Sequence, residues 1–182
     1  MSRPVLIIID VQTAADAPKW GPRNNPEAEA RIADLLAAWR SAGAPVWHIR
    51  HDSVEPGSPY RPDLPTNAFK PQSMPKAGEP VTGKTTNSAF IGTNFEEELK
   101  QAGHDRLVMC GVQTNNCVES SVRHAGNLGF ETYVVADACW TSDKRDLTGR
   151  LWPAEDVHQL SLAKMQGEYA EVIDSAAAIT MV

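Results

Sequence analysis

The chain predicts an α/β fold built on a mostly parallel sheet, on three observations. Val5-Leu6-Ile7-Ile8-Ile9 is an unbroken apolar, β-branched run, the pattern of a strand buried on both faces, and such strands belong to parallel sheets covered by helices. Strand-like and helix-like segments alternate after it, which is the mark of βαβ units. The 182 residues show no linker, repeat or low-complexity tract, so residues 1–182 read as one domain of ordinary size.

The elements follow in order. Residues 27–42 form a helix with Ile32, Leu35, Leu36 and Trp39 among its apolar positions and Gly43 at its stop. Pro45 to Arg50 reads as a second strand, and a short third strand is expected near Val81. Between them, residues 53–80 hold seven of the thirteen prolines and no sustained period. A connection that long is usually a functional cover or disordered, and its prolines lower the entropy cost of ordering it. It is therefore expected to be ordered and packed near a site or a subunit interface. Thr93 and Asn94 signal the start of a helix from Phe95 that Gly103 stops. A fourth strand spans 106–112, a helix runs from Cys117 to Leu128, and a fifth strand spans 132–136. Residues 154–166 are helical, Ala170 to Ile173 is a last strand, and Ser175 to Ile179 is a helical turn.

Composition narrows the function. The formal net charge of -6 and the absence of a basic run argue against a nucleic-acid partner. The three cysteines, at 110, 117 and 139, do not form a disulfide framework and fit a reducing compartment. The run at Val5–Ile9 is too short for a signal or membrane segment, and no later segment is long enough, so a cytoplasmic protein with no membrane partner is the expectation.

In open parallel sheets the active site lies beyond the carboxyl ends of the strands, where strand order reverses. The residues there are Asp10 and Gln12, His51 and Asp52, Lys84, Gln113 to Cys117, and Asp137 to Trp140. Cys117 is the most informative. At a helix start it would face free N–H groups and the positive end of the helix dipole, which would lower its pKa. Cys110, inside a strand, reads as a small buried hydrophobe, and the role of Cys139 stays open. Asp10 ends an apolar strand and needs a partner there. Lys84, unremarkable alone, is a candidate for that partner.

These residues resemble the isochorismatase-like cysteine hydrolases. The resemblance rests on Leu6-Ile7-Ile8-Ile9-Asp10-Val11-Gln12, on Gly83-Lys84 followed by Asn87-Ser88-Ala89-Phe90, and on Gly111-Val112-Gln113-Thr114-Asn115-Asn116-Cys117-Val118. It implies a three-layer α-β-α domain with six strands in the order 3-2-1-4-5-6. It also implies a triad of Asp10 as acid/base, Lys84 as its cationic partner and Cys117 as nucleophile. A cis peptide at Val112–Gln113 and an oxyanion hole of the Gln113 and Cys117 N–H groups are implied as well. The activity implied is hydrolysis of a C–N bond in a small amide, carbamoyl or ureido compound through a thioester. Members acting on an ether bond lack the cysteine. Homo-oligomers are usual in this family.

The metal-binding branch of the family carries Asp-x-His near the second strand, whereas this chain reads His48-Ile49-Arg50-His51-Asp52. No metal and no cofactor are therefore expected, and His48 and His51, on opposite faces of a strand, are open between packing and substrate contact. Gln12, Trp20, Phe90 and Trp140 are the candidate substrate contacts. Trp152 lies on a comparable loop; Arg50 and Arg61 could pair with a substrate carboxylate, but exposed arginines are common and neither is taken as a site residue. Other classes fit less well. A Rossmann nucleotide binder needs glycines after the first strand, where this chain has Val11-Gln12-Thr13-Ala14-Ala15. An Asp-x-Asp phosphatase would need an acid at Gln12. A catalytically silent scaffold or small-molecule binding protein of the same fold is the remaining alternative.

Overall fold

A computed structural model describes residues 3–182. Six parallel strands form one sheet: β1 (Val5–Ile9), β2 (Val46–His51), β3 (Val81–Lys84), β4 (Arg106–Val112), β5 (Glu131–Trp140) and β8 (Glu171–Ile173), in the order β3-β2-β1-β4-β5-β8. The expected order holds. Its sixth member is β8 because a small antiparallel hairpin, β6 (Lys144–Arg145) with β7 (Leu151–Trp152), intervenes. The sequence offered no alternation that would have announced two strands of two residues.

Every residue of β1 is fully buried, as its apolar run requires. It pairs with β2 on one side and β4 on the other, Ile9 opposite Ile49 and Gly111. Successive strands step outward from β1 in one direction and from β4 in the other, so the order reverses between them. Right-handed crossovers then place helices on both faces. Helix α1 (Ala28–Ala42) packs with α5 (Ser175–Ile179) on one face. Helices α3 (Glu119–Asn127) and α4 (Ala154–Met165) pack together on the other, with α2 (Phe95–Gln101) joined to α3 through the Phe90, Phe95 and His124 rings. Helix α1 buries Ile32, Leu35, Leu36 and Trp39 and stops at Gly43, whose φ of 61° is left-handed.

Helix α2 starts at Phe95 as expected, and two other boundaries differ from the sequence reading. Asn94 makes no capping bond with its side chain, and Thr93 Oγ1 instead accepts from the Phe95 N–H at 3.4 Å. Strand β5 runs on to Trp140 because the ladder with β4 shifts there: Met109 faces Val134, but Gly111 faces Cys139. Two steps on β4 thus meet five on β5, a bulge that hid the continuation. Finally, Cys117 does not open an α-helix. It lies in a π-helical turn (Thr114–Val118), and α3 begins only at Glu119. The proline-rich connection is ordered and folds back on β1, with Thr13 N donating to Ala68 O and Lys70 N to Val11 O. No helix among the described residues is long and apolar enough to cross a membrane.

Candidate active site

The strand ends bring Asp10, His51, Lys84 and Cys117 together. Asp10 follows β1 with φ of 56°, a left-handed conformation that Asp tolerates better than most residues, and its carbonyl accepts from Gln12 N at 2.8 Å. Lys84 is the last residue of β3 and His51 the last of β2, opposite each other in register. To reach Asp10 from β3, the Lys84 side chain crosses the end of β2. Its Nζ donates to Asp10 Oδ2 at 2.7 Å, His51 Nδ1 at 2.9 Å and Thr86 O at 3.1 Å. All three ammonium protons therefore have acceptors, which a lysine this buried requires.

Asp10 is less complete. Its Oδ1 is buried and has no hydrogen-bond partner among the described residues, while Cys117 Sγ, His51 and an Asp10 oxygen lie within 4.8 Å of one another. The thiol also sits 3.8 Å from Asn87 Oδ1. The pKa of Cys117 moves opposite to the sequence expectation. Burial pushes the thiol up, the Asp10 carboxylate pushes it further, and Lys84 pulls it only part of the way back. The resting group is a thiol beside a carboxylate with an unused oxygen. His51 is kept neutral, chiefly by burial and then by the Lys84 charge.

The same trio, Asp10, His51 and Cys117, has donor types that bind metals. Here the Lys84 ammonium already holds the junction, taking the His51 Nδ1 lone pair and Asp10 Oδ2. Those two donor atoms are thereby engaged, while Asp10 Oδ1 has no partner among the described residues.

Cys117 opens into a cavity of about 370 Å³ lined by, among others, Trp20, His51, Tyr60, Asn87, Gln113 and Asn116. The cavity is thus walled by rings and carboxamides around the thiol. A larger groove of about 700 Å³ lies against α3, α4 and the hairpin, with Trp152 in its wall. It contains none of the four clustered residues, so chemistry rather than volume selects the site.

The sequence candidates divide as follows. Trp20 lines the cavity, with its Nε1 held by Ala14 O at 2.8 Å. Gln12 does not line it: its Nε2 donates to Asn67 O at 2.8 Å and His51 O at 3.1 Å, and its Oε1 accepts from His51 N at 2.8 Å. It is a strut between the ends of β1 and β2. Phe90 packs into the core against Phe95, His124 and Phe130. Trp140 is buried in β5 beneath the Arg23 guanidinium. Both aromatics were placed by neighbourhood in sequence, which does not say which way a ring faces.

Arg50 and Arg61 are each paired with the aspartate two residues on, Asp52 and Asp63, and are not available as free cations. His48 is a core residue bonded to Glu79 at 2.9 Å. Cys139, fully buried with its thiol pushed up to about 12 by burial, is structural. The Val112–Gln113 peptide is cis, as the resemblance implied. The Gln113 side chain is turned aside, its Oε1 accepting from Lys144 Nζ at 3.1 Å. Tyr60, Asn87 and Asn116 were not singled out. Asn87 opens the Asn87-Ser88-Ala89-Phe90 motif, which by itself does not show which side chain faces the thiol, and Tyr60 lies in the aperiodic proline-rich stretch, where no local signal marks a wall residue.

The isochorismatase-domain family model matches residues 4–177. The isochorismatase-family protein YrdC of Bacillus subtilis (strain 168) is 41% identical over 168 residues, covering 92% of this chain and 90% of its own. The ureidoacrylate amidohydrolase RutB of Methylobacterium radiotolerans is 30% identical, covering 94% and 76%. The crystal structure of an isochorismatase-family protein from Chromobacterium violaceum ATCC 12472 superposes with a TM-score of 0.94 at 52% identity, covering 99% of this chain and 95% of that one.

Proposed function

We propose that this chain, which belongs to the isochorismatase family of hydrolases, is a cysteine amidohydrolase that cleaves a C–N bond of a small amide, carbamoyl or ureido compound through a thioester. One observation carries the reading: the Cys117 sulfur lies within 4.8 Å of a carboxylate oxygen of Asp10, whose Oδ2 is fixed by Lys84 and whose Oδ1 is without a partner among the described residues.

Asp10 takes the thiol proton as sulfur attacks the carbonyl carbon, so the proton leaves only when a C–S bond forms. That order suits a thiol whose pKa is raised, because free thiolate need not accumulate. The Gln113 and Cys117 backbone N–H groups are assigned to the developing oxyanion. Protonated Asp10 then gives its proton to the leaving nitrogen and the C–N bond breaks. A water molecule, deprotonated by Asp10, attacks the thioester, and the thiol is regenerated. Lys84 keeps a positive charge beside Asp10 throughout, and neutral His51 keeps Lys84 in place. The similarity to a ureidoacrylate amidohydrolase supports a C–N rather than an ether bond.

The test is ammonia release from a panel of carboxamides, carbamoyl compounds and ureides, with Cys117→Ala alongside. Turnover of at least one compound is expected, with a loss of roughly 10³-fold or more in the variant. Binding of panel compounds without turnover by the unmodified chain would make it a binding protein of the same fold instead.

A further inference from the structure

We infer that Tyr60 is a specificity-determining residue of this site: its ring, braced against Trp20 and His51, sets the width of the cavity over Cys117 and restricts the reactive position to small, unbranched amides. The inference deepens the hydrolase reading by limiting the substrate class, and its test does not need turnover.

The placement of the ring carries it. Tyr60 meets His51 edge-on, with centroids 5.4 Å apart and planes at 87°, and lies 6.3 Å from Trp20. All three rings line the cavity into which Cys117 opens. Two of them are held by hydrogen bonds of their own. His51 ends a central strand and is bonded to Lys84, and Trp20 is bonded to Ala14 O. Tyr60 is the third wall, carried in by the proline-rich connection.

A loop residue makes a wall only if its backbone is fixed, and this one is bolted to the site itself. The Tyr60 carbonyl accepts from Ser53 N at 3.0 Å and from Asn67 Nδ2 at 2.8 Å. The same Asn67 amide donates to His51 O at 2.9 Å, and its backbone carbonyl accepts from Gln12 Nε2. Gln12 is two residues from Asp10 and clasps the His51 backbone from both sides. One amide hub therefore holds Asp10's loop, His51 and Tyr60 in a common frame, so the distance from ring to thiol is set by hydrogen bonds and not by loop mobility. Asn67 is accordingly a positioning residue. Burial, Asp10 and Cys117 all hold the Tyr60 hydroxyl protonated, so the wall stays neutral.

The experiment reads Cys117 with thiol reagents of graded size, since Cys110 and Cys139 have no exposed surface. Alkylation rates of iodoacetamide and of its N,N-dibenzyl derivative are measured at pH 9.5, each divided by its rate with glutathione. The unmodified chain should favour the small reagent by at least tenfold. Tyr60→Phe should keep that preference, because the ring remains. Tyr60→Ala, and the milder Tyr60→Leu should the alanine variant fail to fold, should lose most of it. Asn67→Ala should lose part of it with the ring intact. A folded Tyr60→Leu or Tyr60→Ala protein that discriminates like the parent would overturn the inference. So would a parent that does not discriminate. A chain that hydrolyses no amide yet shows this pattern would remove the hydrolase reading and leave Tyr60 as the gate.

Discussion

Two carboxylates near the two ends of β2, Asp10 buried and Glu79 half-buried, differ in the donors they meet. Near its start, Glu79 accepts from Arg40 through both oxygens at 2.7 and 2.8 Å, from His48 Nε2 and from Lys76 N. Near its end, Asp10 accepts from Lys84 through Oδ2, while Oδ1 has no partner among the described residues. Each cluster includes a cation and a histidine of the same strand. A saturated carboxylate is a fixed charge that holds pieces together. One with a free oxygen next to a thiol is prepared to take a proton. Both are carboxylates facing a cation and a histidine; the count of donors sets them apart.

The sharpest way to break this comparison is to remove both charges in turn. Asp10→Asn should lower amide turnover by about 10³-fold or more, measured per folded molecule, whereas Glu79→Gln should leave it within about threefold. Comparable losses in both would erase the distinction. Glu79→Gln should instead cost stability, on the order of 2 kcal/mol, by leaving Arg40 and His48 without their full partner. Burial raises the Glu79 pKa, but the bonds from Arg40, Lys76 N–H and His48 outweigh it and hold it near about 2, below the ordinary 4.5. A depressed carboxylate stabilises the fold fully above 4.5, and that contribution is lost as pH falls through about 2. Denaturant midpoints between pH 5 and 2 should therefore fall less steeply in Glu79→Gln than in the parent.

The histidines sharpen the contrast further. His51 is neutral because burial and Lys84 lower its pKa below 6.5, and only the neutral ring accepts from Lys84. Protonation would remove that acceptor and set two cations against each other. The pH profile of kcat/KM should therefore have an acid limb below 6.5, with up to about tenfold loss per pH unit, and His51→Gln should lack that limb. A smaller effect concerns the thiol. Because burial and Asp10 raise its pKa, iodoacetamide should label Cys117 slowly at pH 7, with rates still climbing at pH 9. Asp10→Asn should speed labelling several-fold while abolishing turnover. A plateau near pH 7 would mean a thiolate at rest. The smallest effect expected is none: exhaustive chelation should leave turnover unchanged, since the chain reads His48-Ile49-Arg50-His51-Asp52 where the metal-binding branch of the family carries Asp-x-His.

Much of this frame was legible in local pattern. The apolar run at Val5–Ile9 announced a central strand, and a carboxylate closing it announced a partner, found in Lys84. The strand order implied by the family resemblance placed Asp10 and Cys117 at one switch point. What stayed hidden depends on contacts between distant segments. A π-helical turn looks like the start of a helix in sequence, so Cys117 was given a helix dipole, and the raising effects of burial and Asp10 were missed. Trp140 and Phe90 are aromatic near the right loops but face the core, which only packing decides. Gln12 was expected at the right place with the wrong task. Tyr60 and Asn67 act through a hub joining residues 12, 51, 60 and 67, and no periodicity encodes that.

Gly111 gives the site its calibration. Its φ is 131°, and a Cβ built on it would stand 2.1 Å from Ile9 O and under 3 Å from Ile9 N. That contact lies on the adjoining strands one residue before Asp10 and two before Gln113. The strands that lead to Asp10 and toward Cys117 thus lie at the ordinary interstrand spacing, about 4.8 Å, and only a residue without a side chain lets them close to it here. The sheet serves as a caliper whose jaws are β1 and β4. Even a methyl group at position 111 would wedge them open, a disturbance transmitted to the proton-transfer distance without touching any reacting atom.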